Sequence, residues 1–188
     1  MISQVPNLLT LLRIGATPVL VLLLAERDYA LALLVFALAG ISDGLDGYVA
    51  KRFGFVTRLG AILDPVADKM LIISAYIMLT VLGDLPFWLL VTVGFRDLLI
   101  VGGYLVLVSL HGDVQMRPSH VSKLNTFVQL GLVIAVLANE SGLLTIPLMI
   151  TVLVATVFAT TVLSGAHYVW IWGIKRDGSV TSQRDLSH

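Results

Sequence analysis

Four aspartates lie within 26 residues of a chain in which charged side chains are otherwise sparse. Asp43 and Asp46 are three residues apart, and Asp64 and Asp68 are four apart. Either spacing places both carboxylates on one face of a helix. Carboxylates that converge in a poorly solvated cleft repel one another unless some are protonated or cations neutralise them. Oxygen ligands favour hard divalent ions, Mg²⁺ first and then Mn²⁺ or Ca²⁺, and four carboxylates are enough to hold two such ions.

Cationic and small residues accompany the aspartates. Lys51 and Arg52 follow Asp46 by about one helical turn, and a cationic rim beside a metal site suits a phosphate-bearing substrate. Glycines recur through the same stretch and leave room for a ligand or for another helix. At Gly40 and Gly44 these two explanations stay equally open.

The composition indicates a membrane protein. Of 188 residues, 57% are hydrophobic and only 13% are charged, whereas soluble domains have about 25% charged residues. The mean hydropathy is +0.95. A net charge of zero gives no indication of a nucleic-acid partner. The chain has no cysteine, which excludes disulfides and thiolate metal sites.

Apolar runs of about 20 residues predict an all-α bundle of six transmembrane helices. The predicted spans are 6–25, 29–50, 59–82, 86–110, 120–139 and 143–173. Residues 1–174 then form one membrane domain, and residues 175–188 form a polar cytoplasmic tail. Lysines and arginines gather on one side of this layout, which places both termini and the aspartates at the cytoplasmic face of a bacterial-type inner membrane. The setting indicates chemistry on a phosphorylated lipid.

The complete spacing resembles a family signature. The chain reads Asp43-x2-Asp46-Gly47-x2-Ala50-Lys51-x8-Gly60-x3-Asp64-x3-Asp68. This is similar to D-x2-D-G-x2-A-R-x8-G-x3-D-x3-D of the CDP-alcohol phosphatidyltransferases. The one departure is Lys51, since the family usually has arginine there. Lysine keeps the charge but loses the bidentate fork.

The resemblance implies a Mg²⁺-dependent transfer from CDP-diacylglycerol to an alcohol, with release of CMP. Asp43, Asp46 and Asp64 would be metal ligands, and Asp68 would be both a ligand of the second ion and the general base. The nucleotide pocket would be formed by Asp46, Gly47, Ala50, Lys51 and Gly60. The family also implies a homodimer in the lipid bilayer.

Features outside the signature indicate the acceptor alcohol. The segment from Ser122 to Gln129 resembles the S-K-x-N-T-x-x-Q run of CDP-alcohol-type cardiolipin synthases, which implies phosphatidylglycerol as the acceptor. Related phosphatidylglycerophosphate synthases share other segments and use glycerol 3-phosphate. Either acceptor carries a phosphate, so the predicted anchors are cations: Arg96, Arg117 and Lys123. Further candidate site residues near the start of the chain are Asn7, Thr10 and Arg13.

Other interpretations of these residues are weaker or open. Structural caps and ion pairs explain one or two aspartates, such as Asp64 before Pro65, but not the complete spacing. Arg96 and Asp97 could equally form a buried pair. A transporter predicts acids spread along a path and repeated halves, and a membrane prenyltransferase predicts acidic motifs in separate halves. One contiguous acidic stretch favours the phosphatidyltransferase.

Overall fold

The computed structural model describes the backbone of residues 5–53, 58–111 and 120–174, and the side-chain surroundings within 12–42, 67–103 and 121–168. In these ranges the chain is all-α, with no strand, which confirms the all-α part of the predicted fold. The six helices are α1 (Val5–Ala25), α2 (Tyr29–Phe53), α3 (Arg58–Leu82), α4 (Phe87–His111), α5 (His120–Glu140) and α6 (Pro147–Ile174).

One predicted helix start is wrong. The last span was predicted to begin at residue 143, whereas α6 begins at Pro147. Leu143 and Leu144 are apolar but lie in the turn, after Gly142 with a φ of 75°. The Asn139 side-chain oxygen accepts a hydrogen bond from the Ile146 N–H at 3.0 Å. Proline then suits the first helical position, where its missing N–H leaves no internal bond unmade.

The turn after α1 closes through a Schellman arrangement. Arg27 has a φ of 59°. Its N–H donates to the Leu24 carbonyl at 2.9 Å, and the Asp28 N–H donates to the Leu23 carbonyl at 2.9 Å. The Asp28 side chain then accepts the Leu31 N–H at 3.0 Å and caps α2. Two helices are thereby joined with almost no connecting chain.

The three short turns meet at one end of the bundle. The Tyr29 hydroxyl donates to Asp84 Oδ2 at 2.9 Å, which joins the α1–α2 turn to the α3–α4 turn. Glu140, at the end of α5, lies close enough to raise the pKa of Asp84 electrostatically. Successive helices therefore alternate in direction. The carboxyl end of α2 and the amino end of α3, which carry the aspartates, point to the opposite end.

The helices pack in two groups. In the first, α1 packs extensively against both α2 and α3, and in the second, α6 packs against both α4 and α5. Contacts of α2 with α5 join the groups, and the α3 backbone approaches those of α4 and α5 closely at few points, although their apolar side chains share one core. The fully buried core includes Leu20, Leu24, Phe36, Tyr76, Leu79, Leu89, Leu132, Leu137 and Val157.

The outer surface is unusually apolar. Large apolar side chains are exposed on every helix, including Phe95, Phe127 and Leu148. Soluble monomers rarely expose apolar surface on this scale. By length and composition, two of the described helices are apolar enough to cross a membrane, over Val121–Glu140 and Pro147–Tyr168. The six-span topology and the cytoplasmic termini stay predictions.

Candidate active site

Asp68 faces a buried arginine across the α1–α3 interface. Arg13 Nη1 donates to Asp68 Oδ1 at 2.6 Å. The Arg13 side chain is 2% exposed, whereas that of Asp68 is 34% exposed. Arg13 shares the buried face of α1 with Leu20 and Leu24, which follow at helical spacing. The arginine is thus held in the bundle, and the carboxylate keeps an accessible side.

A cavity of about 90 Å³ adjoins this pair, between α1, α2, α3 and α5. Its polar lining comes from Arg13, Asp68 and Thr126, and the remaining lining is apolar. Gly40 also lines it, and a Cβ built there would meet nothing within 4 Å. The glycine therefore does not mark close helix packing, and its missing side chain leaves space beside the carboxylate. The cavity can admit a small polar group to Asp68.

The other three aspartates are placed by their backbone alone. Asp43 and Asp46 lie near the carboxyl end of α2, and Asp64 lies one turn before Asp68 in α3. Their side chains lie outside the described residues, and within those residues no three acidic or histidine side chains form a metal cluster. The predicted two-ion site therefore stays a prediction. Its donors are carboxylate oxygens on two consecutive helices, a donor set that fits Mg²⁺.

The remaining predicted nucleotide residues also fall where side chains are not described. Gly47, Ala50 and Lys51 lie on the last turns of α2, and Gly60 lies on the first turn of α3. Asn7 and Thr10 lie on α1. Arg117 lies outside the described residues altogether.

Arg96 lies inside the bundle rather than at its surface. The residue is 5% exposed. Nη1 donates to Asp97 Oδ1 at 2.7 Å. Nε and Nη2 donate to Ser164 Oγ of α6 at 3.2 and 2.7 Å, and Nη2 also donates to Ser122 Oγ of α5 at 2.6 Å. These contacts favour the buried pair over the acceptor anchor, and they extend the pair into a network that joins three helices.

Lys69 is a functional candidate that the sequence analysis missed. Its Nζ pairs with Asp97 Oδ2. A carboxylate in the middle of an apolar helix needs cationic partners, and that requirement was visible in the sequence. The neighbouring Arg96 meets that requirement within the sequence, whereas the second cation, on α3, is evident only from the structure.

Of the two predicted acceptor anchors whose surroundings the structure describes, Lys123 is the exposed one. It lines a depression of about 340 Å³ together with Ser122, Thr126, Phe127 and Leu130. Thr126 and Leu130 also line the cavity beside Asp68. A cation therefore stands at the rim of a depression that adjoins the cavity.

Asn125 belongs to the acceptor-type motif but packs between helices. It is 0% exposed. Its Oδ1 accepts hydrogen bonds from Thr160 and Thr161 of α6 at 2.8 and 2.9 Å. Gln129, one turn further, is 1% exposed. Both motif amides are thus buried within the bundle, and Asn125 joins α5 to α6.

Comparison with known proteins identifies the family. The sequence profile of the CDP-alcohol phosphatidyltransferases matches residues 3–166. The chain belongs to the CDP-alcohol phosphatidyltransferase family.

Named relatives divide between two activities. The chain is 39% identical to the rat "Cardiolipin synthase (CMP-forming)" over 71% of its length. It is 39% identical to a Mycobacterium tuberculosis protein named "Probable phosphatidylglycerophosphate synthase" over 89% of its length. It is 33% identical over 88% of its length to the Rickettsia bellii "CDP-diacylglycerol–glycerol-3-phosphate 3-phosphatidyltransferase".

The chain covers these relatives unequally. The match spans 50% of the rat protein, so this chain aligns with about half of that relative. It spans 81% of the mycobacterial protein and 93% of the rickettsial one. These identities establish membership of the family. They do not distinguish between the acceptors of the two activities.

Proposed function

We propose that this protein transfers the phosphatidyl group of CDP-diacylglycerol to a phosphate-bearing alcohol in the membrane and releases CMP. The observation that carries the proposal is the Arg13–Asp68 pair beside a cavity, in a chain of this family. A carboxylate with an accessible side and a fixed partner suits a general base.

The candidate site residues have separate roles in the proposed reaction. Asp68 takes the proton of the acceptor hydroxyl, whose oxygen attacks the phosphorus bonded to diacylglycerol while the bond to CMP breaks. Arg13 holds the carboxylate in orientation from α1. Lys123 at the rim of the depression offers a cation to the acceptor phosphate. Bound Mg²⁺ would supply charge neutralisation at the reacting phosphate, held by Asp43, Asp46, Asp64 and Asp68.

Phosphatidylglycerol is the acceptor we favour, which makes the product cardiolipin. The Ser122-Lys123-x-Asn125-Thr126-x-x-Gln129 run supports this choice, as does similarity to the rat cardiolipin synthase. The apolar side chains of Phe127 and Leu130 beside Lys123 suit an acceptor that is itself a lipid.

Glycerol 3-phosphate is the alternative acceptor. The observation in its favour is length, because the chain spans 93% of the rickettsial relative but only half of the rat one. The same four aspartates and the same proton transfer would serve this reaction. We place either activity at the cytoplasmic face of the membrane and propose a homodimer, by analogy with the family.

Parallel assays on the purified protein test the proposal. CDP-diacylglycerol and Mg²⁺ are supplied with phosphatidylglycerol or with glycerol 3-phosphate, and CMP release and lipid products are followed. Cardiolipin formed from phosphatidylglycerol supports the specific proposal. Phosphatidylglycerophosphate formed from glycerol 3-phosphate supports the alternative acceptor instead. No CMP with either acceptor, nor with inositol phosphate or serine, would overturn the activity and restore the transporter hypothesis.

A further inference from the structure

One turn of α3 is held by charged contacts on two sides. Asp68 accepts from Arg13 of α1, and the next residue, Lys69, pairs with Asp97 of α4. Consecutive side chains on a helix diverge by about 100°. The two contacts therefore oppose rotation of this turn in either direction.

Asp97 is shared between two cations. Its Oδ1 accepts from Arg96 Nη1 at 2.7 Å while its Oδ2 pairs with Lys69. Arg96 in turn donates to Ser122 of α5 and to Ser164 of α6. A single carboxylate thus connects the helix that carries Asp68 to all three helices of the second group.

This connection spans a boundary where apolar side chains of α3, α4 and α5 share one core but the helix backbones approach each other closely at few points. The α3 backbone approaches that of α1 much more extensively. The Asp97 side chain is 11% exposed and that of Lys69 is 40% exposed, so solvent screens this bridge only in part. Where helix backbones approach closely at few points, a polar network with a shared carboxylate adds fixed contacts between them.

We propose that Asp97 is a positioning residue for phosphatidyl transfer. It fixes the α3 turn that carries Asp68 relative to α5, which carries Lys123 next to Ser122. The base and the cation that receives the acceptor are thereby kept in register. This inference rests on the proposed function, because it assigns a task to Asp68 and to Lys123.

Removing the charge of Asp97 tests the proposal. Asp97→Asn preserves the size but leaves Lys69 and Arg96 without their common carboxylate. We expect kcat to fall by about 10- to 100-fold, because small displacements of a reacting group have effects of this size. The KM for CDP-diacylglycerol should change less than about threefold, since the predicted donor contacts lie on other turns. Asp97→Glu restores the charge and should recover most of the activity.

A second variant covers the case in which Asp97→Asn does not fold. Lys69→Gln leaves the Arg96–Asp97 pair intact and alters a side chain that is 40% exposed. We expect kcat to fall by about 5- to 20-fold. The KM for CDP-diacylglycerol should again change less than about threefold. Arg27→Asn is the matched control, because it removes a cation at the opposite end and asparagine tolerates the left-handed conformation of that position. Its kcat should equal that of the wild type.

The outcomes separate positioning from other roles. Folded Asp97→Asn and Lys69→Gln proteins with wild-type kcat would overturn the proposal, and so would a loss confined to the acceptor KM. A lower melting temperature with unchanged kcat would show a purely structural bridge and would also overturn it. If the wild type releases no CMP with any acceptor, the proposed function fails instead, and this inference fails with it.

Discussion

The two ends of the bundle treat their carboxylates differently. At the end formed by the short turns, Asp84 accepts a hydrogen bond from the neutral hydroxyl of Tyr29. Towards the other end, Asp68 and Asp97 pair with cations from other helices. The first arrangement joins two turns. The second places negative charge inside an apolar bundle, where it persists because fixed positive partners oppose it.

The contrast lies in the charge of the partner rather than in its distance along the chain. Asp84 also takes its partner from another helix, because Tyr29 opens α2 and lies 55 residues away in sequence, but that partner is a neutral hydroxyl. Asp68 obtains a cationic partner from α1, likewise 55 residues away in sequence. A fixed cationic partner holds the carboxylate in one orientation beside the cavity. Substitutions at the two ends should therefore have opposite consequences for activity and for stability.

The sharpest test of the comparison is the same substitution at both ends. Asp68→Asn removes the proposed base, and transfer should fall by about 10²- to 10⁴-fold, the usual worth of a positioned base. Asp84→Asn should retain wild-type activity. CMP release by both purified variants decides the matter, with melting temperatures to show that each is folded. An Asp68→Asn protein within tenfold of the wild type would remove Asp68 from the reaction.

The second test removes the fixed partner rather than the carboxylate. Arg13→Gln leaves Asp68 without its guanidinium, so we expect kcat to fall by about 10- to 100-fold through loss of orientation. The variant should also lose about 1–3 kcal/mol of stability, less than a fully buried pair, because Asp68 is partly exposed. Arg13→Lys keeps the charge but loses the planar guanidinium, so its kcat should lie between those of Arg13→Gln and the wild type. Full activity in Arg13→Gln would show that the pair serves the fold alone.

The helix layout followed largely from sequence because long apolar runs bounded by polar turns predict helices. About 20 apolar residues are needed for each span, and the predicted bounds of α1 to α5 agree with the structure to within three residues. The start of α6 was missed since hydropathy does not distinguish Leu143 and Leu144 in a turn from the same residues in a helix. Local capping by Asn139 decided that boundary.

The site was predictable only in part. The shared helix faces of the four aspartates stay a prediction. Arg13 was a candidate, but the cavity between four helices depends on packing that no local pattern contains. Lys69 was missed for the same reason, because its partner Asp97 lies on another helix. Arg96 could be placed either way until its contacts with Ser122 and Ser164 were known.

A smaller effect is expected where a motif residue serves packing. Thr161→Val removes a buried hydroxyl that donates to Asn125 Oδ1 at 2.9 Å. We expect a loss of about 0.5–1.5 kcal/mol of stability, the net worth of one hydrogen bond, with kcat unchanged. Thr151→Val is the control, because Thr151 is exposed and bonds only within its own helix. Thermal unfolding of both variants provides the comparison, and equal melting temperatures would contradict the prediction.

The smallest effect concerns the turn end and depends on pH. Burial raises the pKa of Asp84 above its ordinary value of 3.8, nearby Glu140 raises it further, and the Tyr29 hydroxyl and Arg27 lower it. The folded protein therefore binds this proton more tightly than the unfolded chain, and the contribution of Asp84 to stability falls as pH rises from 3.8 through the folded pKa. Tyr29→Phe removes a lowering influence and should steepen this fall.

Asp84→Asn should abolish that pH dependence while keeping an oxygen for the Tyr29 hydroxyl. Its melting temperature relative to the wild type should rise between pH 4 and pH 7, by less than about 2 °C because screening weakens a partly exposed charge. Melting curves across this range, in one detergent and at one ionic strength, measure the difference. A relative melting temperature that falls as pH rises would mean that Asp84 is stabilised as a carboxylate, and the two ends of the bundle would then hold their acids in the same way.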